Sequence, residues 1–298
     1  MGIGESAGLI AAACWASASL LYSGTKLTAW EMNCGKNVFA SIVLLAQLLV
    51  VALVTSKTVF NADLLAWWWL GWSGVIGIVI GDTLYFRSLQ ILGPRKALIV
   101  STTAPVFAAI LGYTVLGEAL SVVIIVGMTL TLSGVAYVVA DRKSANESPG
   151  LFPGSTAQGI LAGIGGAICQ ALGGVCSRIG MRDCDGVEGA FIRLSVSAAC
   201  VVVVLICQQQ FKNVAGKLVD RSLLKRFLPA VLLGTWLGIW LSQVAYKFTT
   251  VSVATTLLAT TPLFAVPLVR IFFGFRITTG AIMGTIVAVI GVFLIVSQ

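Results

Sequence analysis

Among the 11 acidic residues of this chain, Asp82 is the one well inside a hydrophobic segment, in GIVIGDTLYFRS at 77–88. A carboxylate in such surroundings is held there by a cavity or by a partner, and it can carry a proton or bind a cationic group. Two uses stay open at the sequence level. One is proton coupling or solute contact; the other is structural, an ion pair with Lys36 or Arg87. Arg87 lies five residues on, about 140° around a helix, so a same-face pair with it is disfavoured.

A second group consists of aromatic and amide side chains in otherwise apolar stretches: Trp15, Tyr22, Tyr85, Gln170, Trp236, Trp240, Gln243 and Tyr246. Trp236, Trp240 and Gln243 stand at i, i+4 and i+7, and Tyr246 extends the series, so an α-helix would put them on one face. A wall of rings with a few polar handles suits a pocket for a small organic molecule; packing is the alternative use. Thr103 and Thr260 complete the candidate substrate-binding set, beside Pro105 and Pro262. Those prolines are expected to bend helices, with nearby hydroxyls meeting the freed carbonyls. For Trp67, Trp68 and Trp69 a belt at the membrane surface is the better reading.

The elements that position these residues follow from composition. Hydrophobic residues make up 58% of the 298 residues and charged residues 10%, against about 25% charged in soluble domains. The chain is therefore read as all-α and membrane-integral, with the lipid bilayer as its first partner. The net charge of +8 is assigned to membrane-flanking Lys and Arg, not to nucleic acid. Seven cysteines without metal-ligand spacing, and no histidine at all, point to no metal, no cofactor and no His-based catalysis. A single intramembrane Asp also falls short of an aspartyl-protease pair, so no enzyme is expected.

Ten spans are expected: 6–24, 35–55, 64–91, 95–116, 119–140, 156–178, 189–207, 226–248, 251–273 and 277–296. A polar connector, 141–153, separates a first unit (1–140) from a second (154–298). The units match at one ungapped offset of 157 residues: Gly77 with Gly234, Gly81 with Gly238, Ala97 with Ala254, Thr103 with Thr260, Pro105 with Pro262, Gly127 with Gly284 and Gly134 with Gly291. Five spans per unit is an odd number, so the second copy is upside down. Two inverted five-helix repeats are a transporter architecture with its solute site between the halves. The side of loops 1–2, 3–4, 5–6, 7–8 and 9–10 holds Lys26, Lys36, Arg95, Lys96, Arg142, Lys143 and seven further cations. The other side holds Lys57, Arg178, Arg182 and Lys247. The richer side is read as cytoplasmic, leaving both termini outside.

The segments GDTLYFRSLQILGPRKALIVSTTAPVFAAILGYTVLGEALS at 81–121 and LSQVAYKFTTVSVATTLLATTPLFAVPLVRIFFGFRIT at 241–278 resemble the drug/metabolite transporter superfamily, in its ten-helix EamA-type branch. The resemblance implies a secondary transporter working by alternating access in a membrane such as the bacterial inner membrane. Its solute would be a small metabolite such as an amino acid, exported or exchanged; if protons are coupled, Asp82 is the candidate by its place inside a span. An exchanger of anionic metabolites is the second reading and requires a Lys or Arg deep in the second half; Arg193 and Lys247 are placed near helix ends. A membrane scaffold or receptor without transport is the third. Monomer and homodimer both stay open. Gly117-Glu118 in the first repeat faces Gly274-Phe275 in the second, and Glu118 is expected to favour the start of the following helix.

Overall fold

The computed structural model describes residues 2–22, 27–56, 58–92, 97, 100–140, 154–218, 220–273 and 278–297. The connector 141–153 lies outside the described residues, as do Lys26, Lys57, Arg95, Lys96 and Arg276. Every regular element among the described residues is helical. The first repeat contains α1 (Ile3–Tyr22), α2 (Ala29–Thr55), α3 (Leu64–Leu92), α4 (Ala104–Leu116) and α5 (Val122–Ala140). The second contains α6 (Thr156–Gly180), α7 (Gly186–Cys207) and the short α8 (Phe211–Leu218). It continues with α9, formed by Arg221–Ala230, Val231–Leu237 and Gly238–Phe248, then α10 (Val251–Leu258), α11 (Thr261–Phe273) and α12 (Thr279–Val296). Among the described residues seven helices are long and apolar enough to cross a membrane, and three shorter apolar ones, Ala104–Leu116, Val122–Val138 and Val251–Ala265, lie where further spans are expected.

The 157-residue offset holds in the backbone. Ala29 and Gly186 begin α2 and α7; Val122 and Thr279 begin α5 and α12; Ala104–Leu116 and Thr261–Phe273 correspond end to end. Both third helices change to π geometry at equivalent positions, Gly74–Asp82 in α3 and Val231–Leu237 in α9. A π turn widens the helix and loosens its hydrogen-bond ladder, a device concentrated at functional sites.

Packing has the same two-fold character. α1 lies against α9, and α6 lies against α3, so the first helix of each repeat covers the π segment of the other. α5 and α12 pair along glycines. A Cβ on Gly127 would meet the Gly291 carbonyl at 2.8 Å, and one on Gly284 would meet the Gly134 carbonyl at 2.9 Å. The offset exchanges these two contacts, which is the mark of an isologous two-fold contact. Without a hydrophobic force between helices in lipid, such close backbone approach is what holds them.

The prolines act differently from simple bends. α4 and α11 each begin anew after a turn, at Thr102–Thr103 and Ala259–Thr260, with Pro105 and Pro262 in the second helical position. There a missing N–H is harmless, because first-turn donors have no intrahelical acceptor. The ninth span is thus a broken helix of two pieces, α10 and α11, and the fourth breaks at the equivalent turn, Thr102–Thr103. After α4 the chain turns through Gly117 at φ +65°, with nothing within 4 Å of an added Cβ. Gly117→Ala is expected to lower stability by about 1 kcal/mol through backbone strain alone, read as a lower melting temperature in detergent.

Candidate functional site

The acid singled out by the sequence is paired. Asp82 Oδ2 accepts from Lys36 Nζ in α2, and Asp82 Oδ1 accepts from Gln170 Nε2 in α6 at 2.9 Å. Gln170 Nε2 also lies 3.2 Å from the Gly77 carbonyl, inside the π segment. The Lys36 ammonium stands 5.8 Å from the Phe86 ring centroid. The cluster therefore joins both repeats at the wide turn of α3, and Asp82 is in electrostatic reach of Tyr22, Tyr85 and Arg193. It can exchange one cation for another at a single carboxylate.

The remaining candidates go to several places. Trp15 donates its indole N–H at 2.9 Å to the Gly234 carbonyl, on the π segment of α9, and lies over Gly238 just beyond it. Tyr22 is 3.3 Å from the Thr235 hydroxyl on that same segment. Tyr85 has its backbone against Gly166 of α6. The series on α9 is divided. Trp236 donates to Gln47 Oε1 at 2.8 Å, and with Trp240 it packs on the α2–α7 core. Tyr246 instead presses its ring on Gly174 of α6, in a separate cluster with Trp15. Gln243 is fully buried, with Oε1 unpartnered. Trp240 and Tyr246 are six residues apart in the α-helical piece Gly238–Phe248, about 120° around it, so they meet different neighbours. Thr103 and Thr260 are spent on the helix breaks, their hydroxyls donating to Val100 O at 2.7 Å and Leu257 O at 2.6 Å.

Two cations lie deeper than the sequence predicts, which sets Lys36 with a loop and Arg193 near a helix end. Each is the eighth residue of its helix, α2 or α7, about 10 Å inside. They are 157 residues apart and so repeat mates. The helix starts match too: Thr28 and Asp185 are the N-caps, and Glu31 and Glu188 stand three residues on. Glu31 accepts from the Thr28 N–H and from Lys217 at 2.6 Å, and Glu188 holds the Asn61 and Ala62 N–H groups, each at 2.8 Å. The legible signal was a cap, a Glu and a cation five residues later, once per repeat.

A family profile described as the EamA-like transporter family matches twice, over residues 2–140 and 157–297. The chain belongs to the EamA-like transporter family. It is thus an integral membrane protein of a family that transports small molecules. No curated protein matches. Among 29 similar chains of known structure, one crystal structure superposes with a TM-score of 0.73 at 18% identity, covering 98% of this chain and 96% of its own. That likeness is one of fold.

In this EamA-like transporter the face bearing the N-terminus carries a polar contact between the repeats. Glu118 Oε2 accepts from the Val251 N–H at 2.9 Å, capping α10 of the second repeat in place of the helix that follows it. Its Oε1 is 3.5 Å from Arg178 Nε, and Arg178 donates to the Tyr246 carbonyl at 3.0 Å and to that of Lys247, closing the end of α9. The charges complement both helix dipoles. Burial is the largest influence on Glu118 and raises its proton affinity above the ordinary carboxylate value, against the Val251 N–H and Arg178, which lower it. A folded pKa above the unfolded one means that the folded state binds more protons in the window between them. Stability then falls as pH rises through that window. Melting curves followed upward in pH from the ordinary carboxylate range are expected to carry this slope, and Glu118→Gln is expected to flatten it.

Proposed function

We propose that the protein is a secondary active transporter that moves a small polar metabolite, such as an amino acid, by alternating access of the two repeats, in export or exchange. The observation that carries this reading is the Lys36–Asp82–Gln170 cluster, a pair of opposite charges inside the membrane that spans both repeats at a π segment. Burying a charge pair is hard to justify for packing, since apolar residues of similar volume do that as well. A substrate ammonium group arriving at Asp82 would compete with Lys36 for the carboxylate; a proton would neutralise Asp82 and free Lys36. Solute and proton then compete for one carboxylate, which is the simplest form of coupling.

The relation of the two π segments supports rocking. Each is covered by the first helix of the opposite repeat, across small residues: Gly77 on Gly173, and Gly234 on Ala18. Such contacts let one bundle move on the other without unpacking large side chains. With the basic side cytoplasmic, the Glu118–Arg178 contact belongs to the outer face of a bacterial inner membrane.

The test is uptake into proteoliposomes of labelled amino acids and other small metabolites, with and without a pH gradient. Expected is gradient-dependent movement of at least one solute that Asp82→Asn abolishes. Failure of every solute to move under any gradient would overturn the reading.

A further inference from the structure

Arg193 is the repeat mate of Lys36, yet only Lys36 has an acid. The residue equivalent to Asp82 in α9 is Ile239, since 82 and 239 are also 157 apart. The asymmetry leaves a cation with no carboxylate within 4.0 Å among the described residues, though it is only 4% exposed. Its Nη1 has a modest contact, the Ser177 hydroxyl at 3.2 Å, and its Nε has no partner. The surroundings are shaped to admit the guanidinium. A Cβ on Gly77 would stand 2.8 Å from Nη2, and Gly173 lies against Gly77 on the next helix. A buried cation whose side chain, among the described residues, hydrogen-bonds to one hydroxyl and has Tyr246 as its main electrostatic support is an expensive thing to keep in a membrane, and such a residue marks a functional contact with a partner to be named.

The electrostatics name it. Lys36 has Asp82 as its acid, and Arg193 has no anion of its own within 4.0 Å among the described residues. The missing charge is one anion. Resting on the transport reading above, we propose that Arg193 binds the carboxylate of the transported solute, supplying from the substrate the counter-ion that Asp82 supplies to Lys36. A guanidinium offers adjacent N–H donors in the fork geometry that a carboxylate fits, which an ammonium at the same place would not. The solute class is then a molecule with a carboxylate, and, with its ammonium at Asp82, a zwitterion. Arg193 becomes a specificity residue of the second repeat, complementary to Asp82 of the first.

The experiment compares labelled α-amino acids with the amines that lack only the carboxylate, in proteoliposomes of the wild type, Arg193→Gln and Arg193→Lys. Expected for the wild type is a KM for the amine at least about 10-fold above that of its parent amino acid, the scale of one charge-assisted fork. Arg193→Gln is expected to raise the amino-acid KM to that of the amine and leave the amine unchanged, with Arg193→Lys between. Equal wild-type KM values for amine and amino acid would overturn the proposal. So would an unchanged amino-acid KM in Arg193→Gln. Should Arg193→Gln not fold, the wild-type comparison and Arg193→Lys decide, an amino-acid KM in Arg193→Lys equal to wild type counting against. Failure of the transport reading is distinct: neither compound moves in any of the proteins.

Discussion

Asp82→Asn is expected to lower uptake by about 100-fold, because Lys36 is left without its counter-ion inside the membrane. Removing one member of a buried pair costs about 3–5 kcal/mol, since the other charge then stands uncompensated. Part of that penalty falls on the fold and part on the conformational cycle; about 3 kcal/mol on either corresponds to about 100-fold. Lys36 is 13% and Asp82 19% exposed, so solvent softens the effect without removing it. A structural and a functional role separate in the double variant Asp82→Asn with Lys36→Met. Taking away both charges is expected to restore the melting temperature, because no ion remains unpaired. Uptake is expected to stay lost, because no carboxylate remains to receive a substrate or a proton. Recovery of uptake in the double variant would make the pair structural.

The second large effect concerns the glycine contact of α5 and α12. In Gly134→Leu the new Cβ would stand 2.5 Å from the Ala288 nitrogen and from the Gly284 carbonyl, both backbone atoms of α12 that cannot turn aside. Overpacking against movable side chains typically costs about 1–3 kcal/mol; against backbone, the upper end, about 3 kcal/mol or more, is expected. The helices must separate, and lipid supplies no force to return them. Melting of the detergent-solubilised protein would register the loss as a large drop in the transition temperature. Gly216→Ala on α8 is the contrast. Nothing lies within 4 Å of an added Cβ there, so a change within about 1 kcal/mol is expected, set by helix propensity.

Much of the architecture was legible because it rests on local and periodic signals. Apolar length announces membrane helices, and Gly77/Gly234, Pro105/Pro262 and Gly134/Gly291 announce the repeat. Those positions can be compared residue by residue because each needs its residue type for a backbone reason. The site was less legible. Asp82 stands out in any apolar stretch, but its partners come from α2 and α6, and only the fold brings them to α3. Lys36 and Arg193 look like loop and helix-end charges until α2 and α7 are seen to begin six and three residues earlier than hydropathy suggests, at Ala29 and Gly186. Those early starts are stabilised by polar caps, Thr28 with Glu31 and Asp185, which a search for apolar runs passes over. The wall of rings on α9 fails for a geometric reason. Trp236 and Trp240 stay together, their ring centroids 6.1 Å apart, but Tyr246 lies about 120° around the helix from Trp240 and packs on α6 instead. Likewise a proline in an apolar run reads as a bend, whereas Pro105 and Pro262 sit just inside a fresh helix start.

The most direct test of alternating access between two inverted repeats is counterflow. Proteoliposomes are loaded with an unlabelled solute that the uptake screen has identified, and entry of the same solute in labelled form is followed without any ion gradient. The account predicts a transient accumulation of label above its external concentration in the wild type, and none in Asp82→Asn. Label that only equilibrates, at a rate indifferent to the internal solute, would contradict it.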